Sequence, residues 1–204
     1  MVEKTFYFVG VDPGQSGGLG VLDLQGRCIG SHRWRRVNPK KLFDILSLIR
    51  DSLINIYIES ISVFPQKQVG FIFQGQGLLV NSGIWQGWAL VLDLPLVVVH
   101  PAIWQKAHGL TKWQSNLKAG GWGPSPLSRA REYWPSAGLD FQADDGRAVG
   151  LLLADLSRRD YLAGIDRGGA QAQKEEKRKL AKKRKRQITK LKEGAGLWPK
   201  EELS

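Results

Sequence analysis

Four carboxylates stand where packing alone does not call for them. Asp12 closes the apolar run at the head of FYFVGVDPGQSGGLGVLD, and Glu59 closes the β-branched run NIYIES. Asp144 and Asp145 open the apolar segment DDGRAVGLLLA. An acid at the end of a buried strand is costly unless something pairs with it. Each has an ordinary explanation by itself. Asp12 can be the turn acid of Asp-Pro-Gly. Glu59 can cap a loop or pair with an arginine. Asp144 or Asp145 can rest on the positive end of a helix. Together they suggest a shared divalent cation. Converging carboxylates repel one another unless a cation lies between them, and magnesium prefers oxygen ligands while keeping several waters. Two such ions can activate a water and stabilise the leaving oxygen in phosphodiester cleavage.

The surrounding pattern has to bring these acids together. Residues 5–11 and 19–24 read as two strands of a hairpin, with 28–34 a third strand. From Pro39, the apolar residues Leu42, Ile45, Leu46, Ile49 and Leu53 recur on one helical face. A strand at 55–60 then implies a crossover onto the same sheet. Residues 63–77 are rich in glycine and glutamine and read as a loop. Ser82–Leu92 reads as a helix whose Gly83 and Gly87 permit close packing, followed by a buried strand in LPLVVVH and a short helix from Ala102. Residues 111–124 read as loop. Ser125 and Pro126 make a good helix start for PLSRAREYW, and a last helix runs from near Asp144 to a stop at Gly164. The fold class is therefore α/β, a mixed sheet with helices.

The net charge of +11 is uneven. Residues 174–204 carry 12 basic and 5 acidic side chains, a net +7, while residues 1–173 carry only +4. Domain boundaries follow: a folded domain over 1–165 and a basic tail over 166–204. Lys182, Lys183 and Arg184 lie in the densest part of that tail. A run of this kind points to nucleic acid, held through phosphates and weakened by salt. The lone Cys28 excludes a disulfide within the chain and a cysteine-based zinc site. His32, His100 and His108 share no short ligand spacing, and His100 reads as a satisfied core or rim residue. Ser16 lies among glycines but lacks the spacing and lysine of a phosphate loop. Trp85, Trp88 and Trp104 read as core or interface. No stretch approaches a membrane span and no leader is visible, so no membrane partner is expected.

The ordered set GVDPGQSGGLGVLD, IYIES and DDGRAVGLLLA resembles the RuvC-type Holliday junction resolvases of the ribonuclease H-like superfamily. The segments FPQKQVGFIFQGQGLLVNSGIWQG, VVVHPAIWQKAHGL and SRAREYWPSAG look like the monokaryotic chloroplast type and its bacterial relatives. The resemblance spans roughly residues 5–163. It implies a five-stranded sheet flanked by helices, a homodimer, and Mg²⁺- or Mn²⁺-dependent paired cuts in a four-way DNA junction. In a bacterial host this implies a cytoplasmic, nucleoid-associated protein. It makes Asp12 and Glu59 the first and second metal ligands and puts Asp145, with Asp144 beside it, at the C-terminal acidic motif. Residues 63–77 fall where the family inserts into the junction, so Phe64, Gln66, Lys67, Phe71 and Phe73 become candidate DNA contacts. Read from the residues alone, Arg147 can contact a phosphate or pair with an acid, and Arg129 can contact a phosphate or belong to a solvated face.

Three positions depart from that pattern. A second C-terminal acid would fall on Ala148 or Val149. The lysine that follows tryptophan in Pro-x-x-Trp-Lys falls on Gln105, with Lys106 one place later as the candidate catalytic lysine. A basic residue expected before Ser128 is Leu127. Alternatives are a branched-DNA-binding protein with a weakened site, or another ribonuclease H-like nuclease. An actin-like kinase would need a second, duplicated domain for which the chain is too short.

Overall fold

Strand β1 (Tyr7–Asp12) and strand β2 (Gly18–Asp23) form the expected antiparallel hairpin, with Val9 opposite Val21 and Asp12 opposite Gly18. Strand β3 (Cys28–Arg33) adds to the outer side of β2. Helix α1 (Pro39–Ile49) then carries the chain over one face of the sheet to β4 (Leu53–Glu59), which lies parallel to β1. Helix α2 (Val69–Val91) returns it to β5 (Leu96–Val99), parallel to β4. The strand order is β3-β2-β1-β4-β5, with β2 alone running against the rest. Helices α3 (Pro101–Ala107), α4 (Pro126–Tyr133) and α5 (Asp145–Leu162) follow. The computed structural model describes residues 5–34, 39–61, 69–110 and 124–168. The chain divides into two compact units, Met1–Ile165 and Asp166–Ser204, and only residues 166–168 of the second are described.

Alternation along the strands builds a core on each face of the sheet. Val9, Val11, Ile56 and Ile58 point to the layer formed by Leu42 and Leu46 of α1 and Trp85 and Ala89 of α2. Leu22, Tyr57, Val97 and Val99 point to the other layer, with α5 and α4. Leu151 and Leu152 of α5 are wholly buried there, each burial contributing about 2 kcal/mol. Helix α5 approaches the hairpin at backbone distance. A Cβ on Gly10 would overlap the carbonyl oxygen of Gly150, and one on Gly20 would lie 2.5 Å from the backbone nitrogen of Leu151. Only glycine permits that contact.

Several elements differ from the sequence reading. Leu53 does not extend the α1 face; a 3-10 turn over Arg50–Ser52 ends the helix and Leu53 begins β4. Helix α2 starts at Val69 rather than Ser82, so residues 69–77 are helical rather than a loop. Gly83 and Gly87 have no atom near where a Cβ would stand, so they are not close-packing positions. The helix start at Ser125 is as expected, with Ser125 and Ser128 forming a reciprocal cap and Pro126 in the first turn. Gly164 follows α5 in the left-handed region at φ 67°. Residues 111–123 lie outside the described residues.

Candidate active site at the ends of two parallel strands

The parallel register of β1 and β4 sets Val11 opposite Ile58, so the two strands end side by side on Asp12 and Glu59. The Asp-Pro-Gly turn folds back at once, and the Gly14 N–H donates to Asp12 Oδ1 at 2.8 Å. Glu59 pairs with Val99 at the end of β5, and the chain passes directly from there into α3. Pro101 fits the first turn of that helix, and His100 Nδ1 accepts from the Ala102 N–H at 3.2 Å. His100 is therefore an exposed helix cap, not a core histidine. The same helix buries Trp104, whose Nε1–H donates to Glu59 Oε1 at 3.0 Å.

The third acid arrives from the far end of the domain. Gly17, in the hairpin turn, forms a parallel bridge with Gly146. A Cβ on Gly146 would collide with the backbone of Ser16 and Gly17, so the first turn of α5 lies on the β1–β2 turn. Asp145 is thereby brought within electrostatic reach of Asp12.

Electrostatics separates the four acids. Desolvation pushes the Asp12 carboxyl up to about 6, against the pull of the Gly14 N–H and aided by the charge of Asp145. Desolvation likewise pushes Glu59 up to about 7; the charge of Asp12 adds to this and the Trp104 N–H opposes it. Desolvation raises Asp145 as well. Among the described residues none of these three forms an ion pair.

Asp144 behaves in the opposite way. It is wholly buried. Its Oδ1 accepts from Arg33 Nε at 2.7 Å and Arg147 Nη1 at 3.0 Å, and its Oδ2 accepts from the Phe141 N–H at 3.1 Å. Burial would raise its carboxyl, but these donors outweigh it and hold the group below the usual carboxylate range. Two adjacent acids thus have different chemistry: Asp144 is neutralised within the fold, and Asp145 is exposed, with no ion pair among the described residues, within electrostatic reach of Asp12.

The other candidate residues are dispersed. Arg147, open in the sequence between a phosphate contact and an acid partner, pairs with Asp144 and also donates to Ser31 Oγ and to the carbonyls of Ala137 and Gly138. Arg129 pairs with Glu132 at 2.7 Å and lies over the Tyr133 ring. Lys106 is exposed in the last turn of α3. Ala148, Val149 and Leu127 are all buried in the core, so the positions where an acid and a base would be sought are packing positions. Phe64, Gln66, Lys67, Lys182, Lys183 and Arg184 lie outside the described residues, as do the side chains of Phe71 and Phe73. Sequence reading missed Arg33, which no local motif marks, and the bond from Trp104 to Glu59.

Among the described residues, no three His, Cys, Asp or Glu side chains are grouped closely enough to hold a metal ion. The donor chemistry nevertheless fits a hard cation: oxygen atoms only, raised by desolvation, with the charge of Asp145 acting on Asp12 and that of Asp12 on Glu59, and no ion-pair partner among the described residues. Magnesium is commonly held by one or two carboxylates, its own waters and a substrate phosphate, rather than by an all-protein cage. No helix of the described residues is long and apolar enough to cross a membrane.

A five-stranded sheet in the order 3-2-1-4-5, with the second strand reversed and helices on both faces, is the ribonuclease H-like fold. Solved structures similar to the chain include two of one protein. One is Thermus thermophilus RuvC, 15% identical, with TM-score 0.47, covering 76% of this chain and 96% of that one. The other is T. thermophilus RuvC in complex with a Holliday junction substrate, 14% identical, with TM-score 0.46, covering 73% and 90%. No protein-family model and no curated protein matches the chain. The fold assignment rests on the strand order and the reversed second strand.

Proposed function

We propose that this chain is a metal-dependent, structure-selective endonuclease that resolves four-way DNA junctions by paired nicks in opposed strands, an activity of DNA recombination and repair. The observation that carries the reading is that Asp12 and Glu59 end two neighbouring parallel strands with Asp145 within electrostatic reach of Asp12, and that none of the three has an ion-pair partner among the described residues. These residues would hold Mg²⁺ or Mn²⁺, which when bound supplies Lewis acidity to a phosphodiester. Trp104 orients the Glu59 carboxylate through its N–H. Asp144, clamped by Arg33 and Arg147, fixes the start of α5 and with it Asp145. Lys106 is assigned to the phosphate side of the same reaction. Phe64, Phe71 and Phe73 are assigned to stacking on opened bases, with Gln66, Lys67 and Arg129 beside the strand, while Lys182, Lys183 and Arg184 hold phosphates without reading sequence. Paired nicks need two sites, which a twofold homodimer supplies.

The test is incubation of the purified chain with a labelled four-way junction in Mg²⁺ or Mn²⁺, with Asp12→Asn as control. Symmetric nicks lost in the variant are expected. Intact junction binding with no cleavage in either metal overturns the reading. A second reading, a branched-DNA-binding protein without catalysis, is favoured by the buried Ala148 and Val149; it requires that Asp12→Asn leave function in the cell unchanged.

A further inference from the structure

A cleft of about 310 Å³ lies between β3 and the start of α5, bordered by Ser31, His32, Arg33, Phe141, Asp144 and Arg147. Its size is at the small end of ligand pockets. Its charge is unbalanced. Two guanidiniums, Arg33 and Arg147, share the single carboxylate of Asp144. The remaining partners of Arg147 are a hydroxyl and two carbonyls, which satisfy its N–H groups without neutralising it. The two arginine side chains are only 15% and 16% exposed, so water solvates the surplus charge poorly. Burial lowers the pKa of His32, and the charges of Lys41 and Arg147 lower it further, in keeping with a positive potential there. At the rim, Phe141 leaves 68% of its surface in solvent. An anion beside an exposed aromatic ring is the complement of such a cleft.

The register of the sheet says which anion. Asp12 lies opposite Gly18, and Gly18 lies opposite Arg33. The cleft therefore begins two strands across from Asp12 on the same row, about 10 Å away. The first turn of α5 covers Gly18 between them, so a DNA strand with one phosphate at Asp12 would reach Arg33 by passing around that turn, at least about three nucleotides along at 3.4 Å per step.

We propose that this cleft seats a nucleotide of the DNA strand flanking the scissile phosphate, its phosphate toward Arg33 and His32 and its base against Phe141. The proposal rests on the nuclease reading above and adds to it the path of the strand over β3. It makes Phe141 and His32 substrate-positioning residues.

Fluorescence anisotropy of the full chain with a labelled four-way junction in EDTA, across a salt series, tests it without cleavage. Phe141→Ala should weaken binding about tenfold, as for loss of one stacked base. His32→Glu should weaken it by at least as much and make the salt dependence shallower. Thermal melting checks that both variants stay folded. Wild-type affinity in both folded variants overturns the cleft while leaving the nuclease reading intact. Junction cleavage by the wild type, absent in Asp12→Asn, tests that reading separately. Free deoxyadenosine monophosphate binding the wild type as tightly as the strand does would also overturn the proposal, making the cleft a small-molecule site.

Discussion

Asp12→Asn separates the cost of the site from its use. In the unfolded chain this carboxyl titrates near 3.8; in the fold it lies at about 6. At 1.36 kcal/mol per pH unit, ionised Asp12 costs the fold about 3 kcal/mol. Asparagine keeps an oxygen for the Gly14 N–H now 2.8 Å from Oδ1, and the pKa of about 6 already includes that bond's preference for the charged form. A net stabilisation of about 3 kcal/mol is therefore expected at pH 8 without metal. The sign follows from the raised folded pKa. The neutral form is the favoured one in the fold, so this group's stabilisation is fully present below 3.8 and is lost as pH rises through about 6. The advantage of the variant should accordingly shrink toward pH 4. Urea unfolding of both proteins in EDTA at pH 4 and pH 8 measures it, and a repeat in Mg²⁺ should stabilise the wild type alone. A variant less stable than wild type at pH 8 in EDTA, or a gap that ignores pH, would show that Asp12 is not a desolvated acid lacking a counter-charge.

Trp104→Phe removes the donor 3.0 Å from Glu59 Oε1, a bond that lowers the Glu59 pKa. The rising limb of the pH–rate profile should move to higher pH, with kcat down about tenfold at pH 7 and KM nearly unchanged; an unmoved profile would reduce Trp104 to packing. Gly10→Ala sets a methyl group against the Gly150 carbonyl and should cost more than about 2 kcal/mol in urea unfolding. Arg147→Ala leaves buried Asp144 with Arg33 alone and should cost about 3 kcal/mol, read as a lower thermal midpoint. Deleting residues 170–204 should weaken DNA binding across all sequences and flatten its salt slope; an unchanged slope would remove the tail from DNA binding.

What was legible in the sequence was what short-range pattern encodes. Strand alternation placed Asp12 and Glu59 at strand ends, and the strand–helix–strand order put both strands in one sheet; that β4 lies beside β1 rather than beside β3, from which the chain crosses, is set by the tertiary fold. The separation of Asp144 from Asp145 did not follow. It depends on Arg33, which is 111 residues from Asp144, and on the rotation of α5 about its axis. The same rotation explains the missing acid of the resembled family. Gly146 faces the hairpin turn at backbone contact, and one turn further along, Ala148 and Val149 are already in the core. A carboxylate at either position would be a buried charge with no room for water. With a single acid from each of three elements, the proposed cation has few protein ligands and must rely on water and substrate phosphate. Metal affinity should then be weak for the free chain and rise when the junction is bound. Titrating Mn²⁺ with and without uncleaved junction tests that coupling, and equal affinities would contradict a ligand set completed by DNA.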